Sequence, residues 1–224
     1  KQAVSRSYTL TAPITRLAVF FFFPKKEGNT HFALQIITEI LKQEGVEVEV
    51  IHVGNQKIQG CLACNRCYVT KDECCINHSD PVNEWIQKMK EADGIILGTP
   101  THYASVAGTF KSFLDRAFYV AGVNESLFRH KVGAAIAVVR RSGGMTAFQE
   151  LNNYLLYSEM VIPSSNYWNV IHGTTPGQIF EDKEGVQIMS VLAQNFVWLL
   201  KLIENGENSV AEPEREKKIA TSFV

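Results

Sequence analysis

A strand, a tight polar turn and the start of a helix follow one another in the stretch LAVFFFFPKKEGNT, residues 17–30. The apolar run has the length of a strand and stops at Pro24. Beyond Thr30, apolar residues recur close to helical spacing. Asn29 or Thr30 is the predicted N-cap of that helix, because both side chains can accept a backbone N–H. The stretch therefore predicts a buried strand joined to a helix by a short turn.

The polar turn carries groups that suit a phosphate. A turn that enters a helix directs unpaired backbone N–H groups and the positive end of the helix dipole at one spot. Lys25 and Lys26 add positive charge there, and the side chains of Asn29 and Thr30 add donors. The alternative interpretation is that Gly28-Asn29-Thr30 only caps the helix after a loop.

Strand-like and helix-like stretches alternate about five times along the chain, which predicts a right-handed, doubly wound α/β fold with a parallel sheet. After the first strand, further strands are predicted at residues 46–53, 93–98, 131–139 and 160–162. Further helices are predicted at residues 81–92, from about 106, at 145–159 and at 186–203, with a loop at 164–178. One domain at residues 14–204 is expected, between an extension at 1–13 and a charged tail at 205–224.

Three predicted loops leave the carboxyl ends of these strands, at residues 24–30, 100–105 and 140–144. All three contain turn residues and polar donors. In doubly wound sheets, ligands bind beyond the carboxyl ends of the strands, where the strand order reverses. The convergence of the three loops predicts a cofactor that bears a phosphate.

Composition excludes some classes of function. The formal net charge is −1 and the pI is about 6.7, so neither a nucleic-acid surface nor a polybasic membrane anchor is expected. The apolar run that contains residues 20–23 is too short to span a bilayer. Residues 1–13 lack the features of a secretory signal, so a cytoplasmic location is expected.

All five cysteines lie between residues 61 and 75, and this crowding predicts a metal or redox site in a reducing compartment. Three thiolates at two-residue intervals could surround one face of an iron–sulfur cubane, with a fourth after a short excursion. Zinc is an alternative, although paired knuckles usually lie further apart. The same thiols could instead form a dithiol–disulfide switch, or a loop that holds no metal. The cysteines are Cys61, Cys64, Cys67, Cys74 and Cys75.

The order of PKKEGNT, GTPTHYASVAGTFKSFLDR, VRRSGG and YWNVIHG resembles the NAD(P)H-dependent FMN reductases, especially the flavodoxin-like branch with the iron–sulfur flavoproteins. The match runs from about Arg16 to Leu202. The resemblance implies a flavodoxin-like, five-stranded parallel sheet between two helical layers. It also implies that the cysteine loop holds a [4Fe–4S] cluster on Cys61, Cys64, Cys67 and either Cys74 or Cys75.

The resemblance implies three sets of FMN-binding residues. Those around the phosphate are Pro24, Lys25, Gly28, Asn29 and Thr30. Those on one side of the isoalloxazine ring are Pro100, Thr101, His102, Tyr103, Ala104 and Ser105. Those on the other side are Arg140, Arg141, Ser142, Gly143 and Gly144. Trp168 and His172 are interpreted either as part of a neighbouring subunit's site or as loop packing.

The first loop departs from the family's usual GSPRxxGNT. Phe22-Phe23 replaces Gly-Ser, and Lys25 replaces an arginine that could grip a phosphate with two donors. Each lost contact to a charged group costs about 1.5–3 kcal/mol. FMN affinity is therefore expected to fall by tens-fold or more.

The implied activity is a ping-pong oxidoreductase that passes electrons from NAD(P)H through FMN to a flavin, a quinone or another small acceptor. Arg140 or Arg141 would balance the charge of the reduced flavin or attract the phosphates of the nicotinamide cofactor. A homodimer or homotetramer is expected. One alternative is an electron-transfer module for a redox protein partner, and another is a thiol or metal sensor with a degenerate flavin site.

Overall fold

The computed structural model describes residues 15–21, 27–54, 56–207 and 209–223. Its strands are β1 (Arg16–Phe21), β2 (Glu47–His52), β3 (Gly94–His102), β4 (Ser105–Val106), β5 (Val132–Val139) and β6 (Val170–His172). Its helices are α1 (Asn29–Gln43), α2 (Arg66–Thr70), α3 (Val82–Glu91), α4 (Gly108–Val123), α5 (Gly144–Tyr157) and α6 (Lys183–Gly206). The predicted extension at residues 1–13 lies outside the described residues.

Five of the strands form a parallel sheet in the order β2-β1-β3-β5-β6. This is the flavodoxin-like order, with the reversal between β1 and β3. The short β4 is an addition to the predicted count of five, because it pairs antiparallel with the end of β3. The reversal places the ends of β1 and β3 side by side, at the edge where a ligand is expected.

Helices cover both faces of the sheet, as predicted. One apolar cluster joins α1 and α6 to the sheet, and the other joins α3, α4 and α5 to the opposite face. Every residue of β5 is buried, which explains its continuous apolar run VGAAIAVV. The three layers of the predicted α/β/α fold are therefore confirmed.

The fifth parallel strand is not where the sequence pattern placed it. Within the predicted strand at residues 160–162, Val161 makes an isolated bridge to Val132. The strand is instead β6, inside the segment predicted as a loop, and Val170 pairs with Ala137. A strand of three residues is too short to show an alternating pattern, so tertiary pairing decided its position.

Two other boundaries differ from the prediction. The third strand continues past Gly98 to His102, and Pro100 pairs in register with Val138. Among the described residues, pairing with β1 ends at Gly98, so beyond that point β3 has a described parallel neighbour on one side only, where proline is tolerated. The segment at residues 54–80, which has no clear period, contains the five-residue α2 between left-handed residues Asn65 and Lys71.

By length and composition alone, α6 could cross a membrane. This is weak evidence, because its apolar stripe is buried against α1 and the sheet, with Ile188, Leu192 and Phe196 inaccessible. Beyond α6, residues 209–223 form no helix or strand. They touch the body of the domain through Arg129, which donates to the Pro213 carbonyl at 3.0 Å.

Candidate functional site

The predicted cofactor loops converge at the carboxyl edge of the sheet. The first joins β1 to α1, but Pro24 and Lys25 lie outside the described residues, as do Phe22 and Phe23. The other two loops touch each other, because a Cβ atom at Gly143 would lie 3.1 Å from Thr101 Cγ2. Residues about 40 positions apart in sequence thus form one surface, as the resemblance implies.

The amino end of α1 holds a buried hydroxyl that lacks a partner. Gly28 is the N-cap, with an extended backbone, and the helix begins at Asn29 without a side-chain cap. The prediction that Asn29 or Thr30 caps the helix is therefore wrong. Thr30 is fully buried, and its Oγ1 has no hydrogen-bond partner within the described chain. A buried hydroxyl without a partner is costly, and beside a helix amino end it suits a phosphate oxygen.

Asn29 has a different task, since its side chain connects α1 to the turn after β6. Its Oδ1 accepts the backbone N–H of Gly177 at 2.9 Å. Its Nδ2 lies so near Gly173 that a Cβ atom there would stand 2.9 Å away. The backbone N–H of Asn29 remains at the helix amino end, where it can face an anion.

The second loop is a tight hairpin in which Thr101 pairs with Val106 and His102 with Ser105. Tyr103 occupies its tip in the left-handed region, with φ of 60°, and its ring is fully exposed. Ser105 donates to the carboxylate of Glu150 on α5. Thr101 Oγ1 is the second buried side-chain oxygen without a partner in the described ranges, and the Cγ2 methyl of the same residue faces Gly143 of the third loop. An unpartnered hydroxyl on the second loop suits a ligand with polar edges.

The third loop is positively charged and closely packed. Arg140, Arg141 and Ser142 are exposed, and neither guanidinium forms an ion pair with any residue that the structure describes. Gly143 caps α5 with φ of 86°, a conformation that favours glycine. Gly144 packs so tightly that a Cβ atom there would lie 2.5 Å from Val170 Cγ1. The third loop therefore combines two closely packed glycines with two exposed cations that have no ion pair among the described residues.

A cavity of about 230 Å³ opens beside the third loop. Arg141, Trp168, His172 and Asp182 are among its lining residues. The Nδ1 atom of His172 lies 3.0 Å from Asp182 Oδ2, and the Trp168 ring lies 4.6 Å from that of Tyr167. Sequence reasoning omitted Trp168 and His172 from the site residues. Their one signal in the sequence was the family resemblance of the segment YWNVIHG, which contains both residues.

Asp182 also caps α6, because its Oδ1 accepts the backbone N–H of Gly185 at 2.9 Å. Burial opposes ionisation of this carboxyl, but hydrogen bonds from Gly185 and His172 outweigh burial and lower its pKa below the usual 3.8. The ionised Asp182 carboxylate therefore stabilises the fold at pH values above 3.8. This stabilisation is lost as the pH falls through the lowered pKa.

We expect Asp182→Ala to lower the free energy of unfolding by about 1 kcal/mol at neutral pH, through loss of the cap. The difference from the natural chain should shrink below about pH 4, where the carboxyl takes up a proton. Urea unfolding between pH 3 and 7 would measure it. Asp182→Asn keeps a capping oxygen and is the control, and an equal deficit at all pH values in Asp182→Ala would contradict this account.

Four of the five cysteines line one small cavity between the cysteine loop and α4, namely Cys61, Cys64, Cys67 and Cys75. Cys74 is not among the lining residues, and all five are free thiols. Burial raises the pKa of Cys67, and the neighbouring Cys75 and Cys61 thiolates raise it further. The sequence left the fourth ligand open between Cys74 and Cys75, and the structure places Cys75 with the other three.

The surroundings of Cys74 and Cys75 also differ in charge and in hydrogen bonding. Burial raises the pKa of Cys74, and the negative charges of Asp72 and Glu73 raise it further. Cys75 instead accepts a hydrogen bond from Arg116 Nε, with 3.3 Å between nitrogen and sulfur. Cys75 therefore has a hydrogen-bond donor at its sulfur, whereas Cys74 lies near two carboxylates.

The side chains that the structure describes form no site for a single metal ion. Within the described ranges, no three His, Cys, Asp or Glu side chains are grouped closely enough to hold one ion. In a [4Fe–4S] cluster four cysteines share four irons, so the sulfurs surround a larger object and stand further apart. Four cysteine residues that line one cavity are compatible with that arrangement, and the zinc alternative gains no support from the geometry.

Comparison with known proteins supports both the fold and the cofactor. Residues 15–175 match the family model described as NADPH-dependent FMN reductase. An iron–sulfur flavoprotein of Methanocaldococcus jannaschii is 33% identical over 188 residues, covering 81% of this chain and 95% of that protein. The predicted family and its iron–sulfur flavoprotein branch are confirmed.

Two solved structures are similar in fold at low sequence identity. A flavodoxin, WrbA-like protein from Agrobacterium tumefaciens has a TM-score of 0.59 and 13% identity, covering 84% of this chain and 98% of that one. FerB, a flavoenzyme NAD(P)H:(acceptor) oxidoreductase from Paracoccus denitrificans, has a TM-score of 0.60 and 17% identity, covering 84% and 98%. They confirm the predicted flavodoxin-like fold.

Proposed function

We propose, because this chain belongs to the NADPH-dependent FMN reductase family, that it oxidises NAD(P)H and reduces a small planar acceptor such as a flavin or quinone. The chain is a flavoprotein oxidoreductase, and the identity of both substrates is the proposal. When bound, FMN takes a hydride from the nicotinamide and returns electrons to the acceptor. The observation that carries the proposal is the unpartnered, buried Thr30 hydroxyl at the α1 amino end.

The chain's own residues would bind and orient the cofactor. Backbone N–H groups at Asn29 and Thr30, together with Thr30 Oγ1, would donate to the phosphate. Thr101 Oγ1 and the backbone at Gly143 and Gly144 would contact the ring. Lys25 would add charge at the phosphate.

Positive charge at the third loop would favour the reduced, anionic state of the ring. Arg140 and Arg141 are the available cations, and both are exposed without an ion pair to any described residue. Charge near the ring shifts the potential of a flavin. The remaining ring-loop positions, Pro100, His102, Tyr103, Ala104, Ser105 and Ser142, would then shape the two sides of the ring.

The acceptor would bind in the cavity beside the third loop. Arg141 offers a positive charge there, Trp168 a half-exposed aromatic face, and His172 an imidazole held by Asp182. The contact between Nδ1 and the Asp182 carboxylate orients the ring and leaves Nε2 to contact a ligand. This combination suits a planar acceptor with an anionic or carbonyl oxygen.

Arg141→Gln is expected to raise the KM for an acceptor with a sulfonate or carboxylate group by about tenfold, the effect of losing one charged hydrogen bond. The KM for an uncharged quinone should change little. Steady-state oxidation of NADPH with a matched pair of naphthoquinones, one sulfonated, would test this. Arg140→Gln is the control, because Arg140 does not line the cavity. An equal rise for both quinones would contradict a charge contact with the acceptor.

We also propose that Cys61, Cys64, Cys67 and Cys75 hold a [4Fe–4S] cluster, with Cys75 rather than Cys74 as the fourth ligand. The shared cavity and the relatives of the iron–sulfur flavoprotein branch support this. A homodimer or homotetramer and a cytoplasmic location remain predictions.

A second candidate function is electron transfer to a protein partner through that cluster. The cysteine loop itself carries exposed apolar side chains, and a group of such side chains is typical of an interaction surface. They are Leu62, Tyr68, Val69 and Ile76, each more than half exposed.

One experiment tests these proposals together. The protein would be purified without oxygen, and flavin, iron and sulfide would be counted per chain alongside an absorption spectrum. NAD(P)H oxidation would then be measured with quinone, free flavin and no acceptor. Bound flavin and rapid quinone reduction are expected, whereas bound flavin with almost no turnover would favour the electron-transfer module. Failure to take up added FMN would overturn the central proposal.

A further inference from the structure

A fully buried arginine lies behind the cysteine cavity. Arg116, on α4, is 1% exposed, and its guanidinium pairs with the equally buried carboxylate of Asp80. Nη1 also donates to the Gln59 carbonyl at 3.3 Å, and Nη2 donates to the Asn77 carbonyl at 3.0 Å. These two carbonyls lie just before and just after the cysteine loop, so Arg116 joins its two ends.

A further donor of this guanidinium, Nε, is directed at Cys75, the proposed fourth cluster ligand. Arg116 Nε lies 3.3 Å from Cys75 Sγ. Burial of a charged pair is expensive, and packing alone would be served as well by apolar residues of similar size. A buried guanidinium that satisfies two carbonyls, one carboxylate and one sulfur therefore does more than fill space.

The electrostatic effect at Cys75 is that of a directed N–H donor. Asp80 neutralises the guanidinium within the pair, so a distant atom experiences little net charge. The sulfur, at hydrogen-bonding distance from Nε, still experiences the positive end of the N–H bond. Hydrogen bonds to cluster sulfurs are among the factors that set the reduction potentials of iron–sulfur clusters.

We propose that Arg116 is a positioning residue that holds Cys75 in the ligand position and raises the reduction potential of the cluster. The proposal rests on the proposed cluster. When a reductant such as dithionite supplies one electron, no proton would move, and the added negative charge on the sulfurs would strengthen the bond from Nε. Without that donor, the ratio of reduced to oxidised cluster at a fixed potential should fall about tenfold, which is about 59 mV for a one-electron couple.

The test is an anaerobic potentiometric titration with dithionite, followed by electron paramagnetic resonance, with iron counted in each sample. Arg116→Lys keeps a charge opposite Asp80 but lacks Nε, so its potential should fall, or folded protein should lose iron. Asp80→Asn leaves the guanidinium uncompensated beside Cys75, so its potential should rise. Shifts of opposite sign are not expected from a general loosening of the loop.

Two further variants keep the result interpretable. Lys111→Gln removes a cation from the same helix, where Lys111 pairs with Asp115 at 2.8 Å, and should leave the potential unchanged. If Arg116→Lys does not fold, the uncharged pair Arg116→Gln with Asp80→Asn should show the same fall. Unchanged potential and full iron in the Arg116 variants would overturn the inference while the cluster stands. A natural chain without iron would overturn the cluster proposal itself.

Discussion

Replacing Cys75 with serine should remove most of the iron from protein purified without oxygen, whereas Cys74→Ser should retain it. Cys75 shares a cavity with Cys61, Cys64 and Cys67, and its sulfur accepts a hydrogen bond from Arg116. A serine hydroxyl is a poor replacement because iron–sulfur clusters prefer soft thiolate ligands. Iron and sulfide per chain, with the visible absorption of the cluster, would measure the loss.

The two cysteines make a matched pair for this experiment, since they are adjacent and both half-buried. Cys64→Ser should behave like Cys75→Ser, because Cys64 lines the same cavity. Loss of iron in Cys74→Ser with retention in Cys75→Ser would show that the loop rearranges when the cluster forms. Thermal unfolding of each variant would separate loss of a ligand from loss of the fold.

Thr30→Val should weaken FMN binding by about 10-fold to 150-fold. A hydrogen bond from a hydroxyl to a charged phosphate contributes about 1.5–3 kcal/mol. Without FMN the same change should be neutral or stabilising, because it removes a buried hydroxyl that has no partner among the described residues. We therefore expect the FMN affinity of the variant to fall while the free energy of unfolding of its apoprotein does not.

Fluorescence titration of apoprotein with FMN and with riboflavin would distinguish a phosphate contact from a change in shape. Riboflavin lacks the phosphate, so Thr30→Val should change its affinity little, and Thr30→Ser should keep most of the affinity for FMN. Equal weakening of both ligands would place the Thr30 hydroxyl elsewhere. The FMN affinity of the natural chain would also test the loss of affinity that is expected from Phe22-Phe23 and Lys25.

Much of the fold followed from local patterns. The continuous apolar run of β5 predicted a strand buried on both faces, and all of its residues are buried. The helical spacing after Thr30 predicted α1, which runs over Asn29–Gln43. Periodicity could not reveal β6 or α2, because three and five residues are too few to show a period.

The candidate site was predicted in part, and the described loops lie where the sequence order implied. Thr101 and Gly143 are in contact, as two loops on one edge should be. The capping role of Asn29 was wrong, because its Oδ1 binds Gly177, 148 positions away. Sequence rules for helix caps consider only neighbouring residues, so they cannot predict a hydrogen bond to a residue this distant in the sequence.

By itself, the sequence determined the order of the main strands and helices, which depends on short-range spacing. Its resemblance to a known family indicated that family and three candidate cofactor loops. Tertiary structure alone brought Cys75 rather than Cys74 to the cavity and Arg116 to its sulfur, 41 positions along the chain. Adjacent cysteines have the same local sequence environment. Only the packing of the cysteine loop against α4 gives Cys75 a hydrogen-bond donor and leaves Cys74 beside the carboxylates of Asp72 and Glu73.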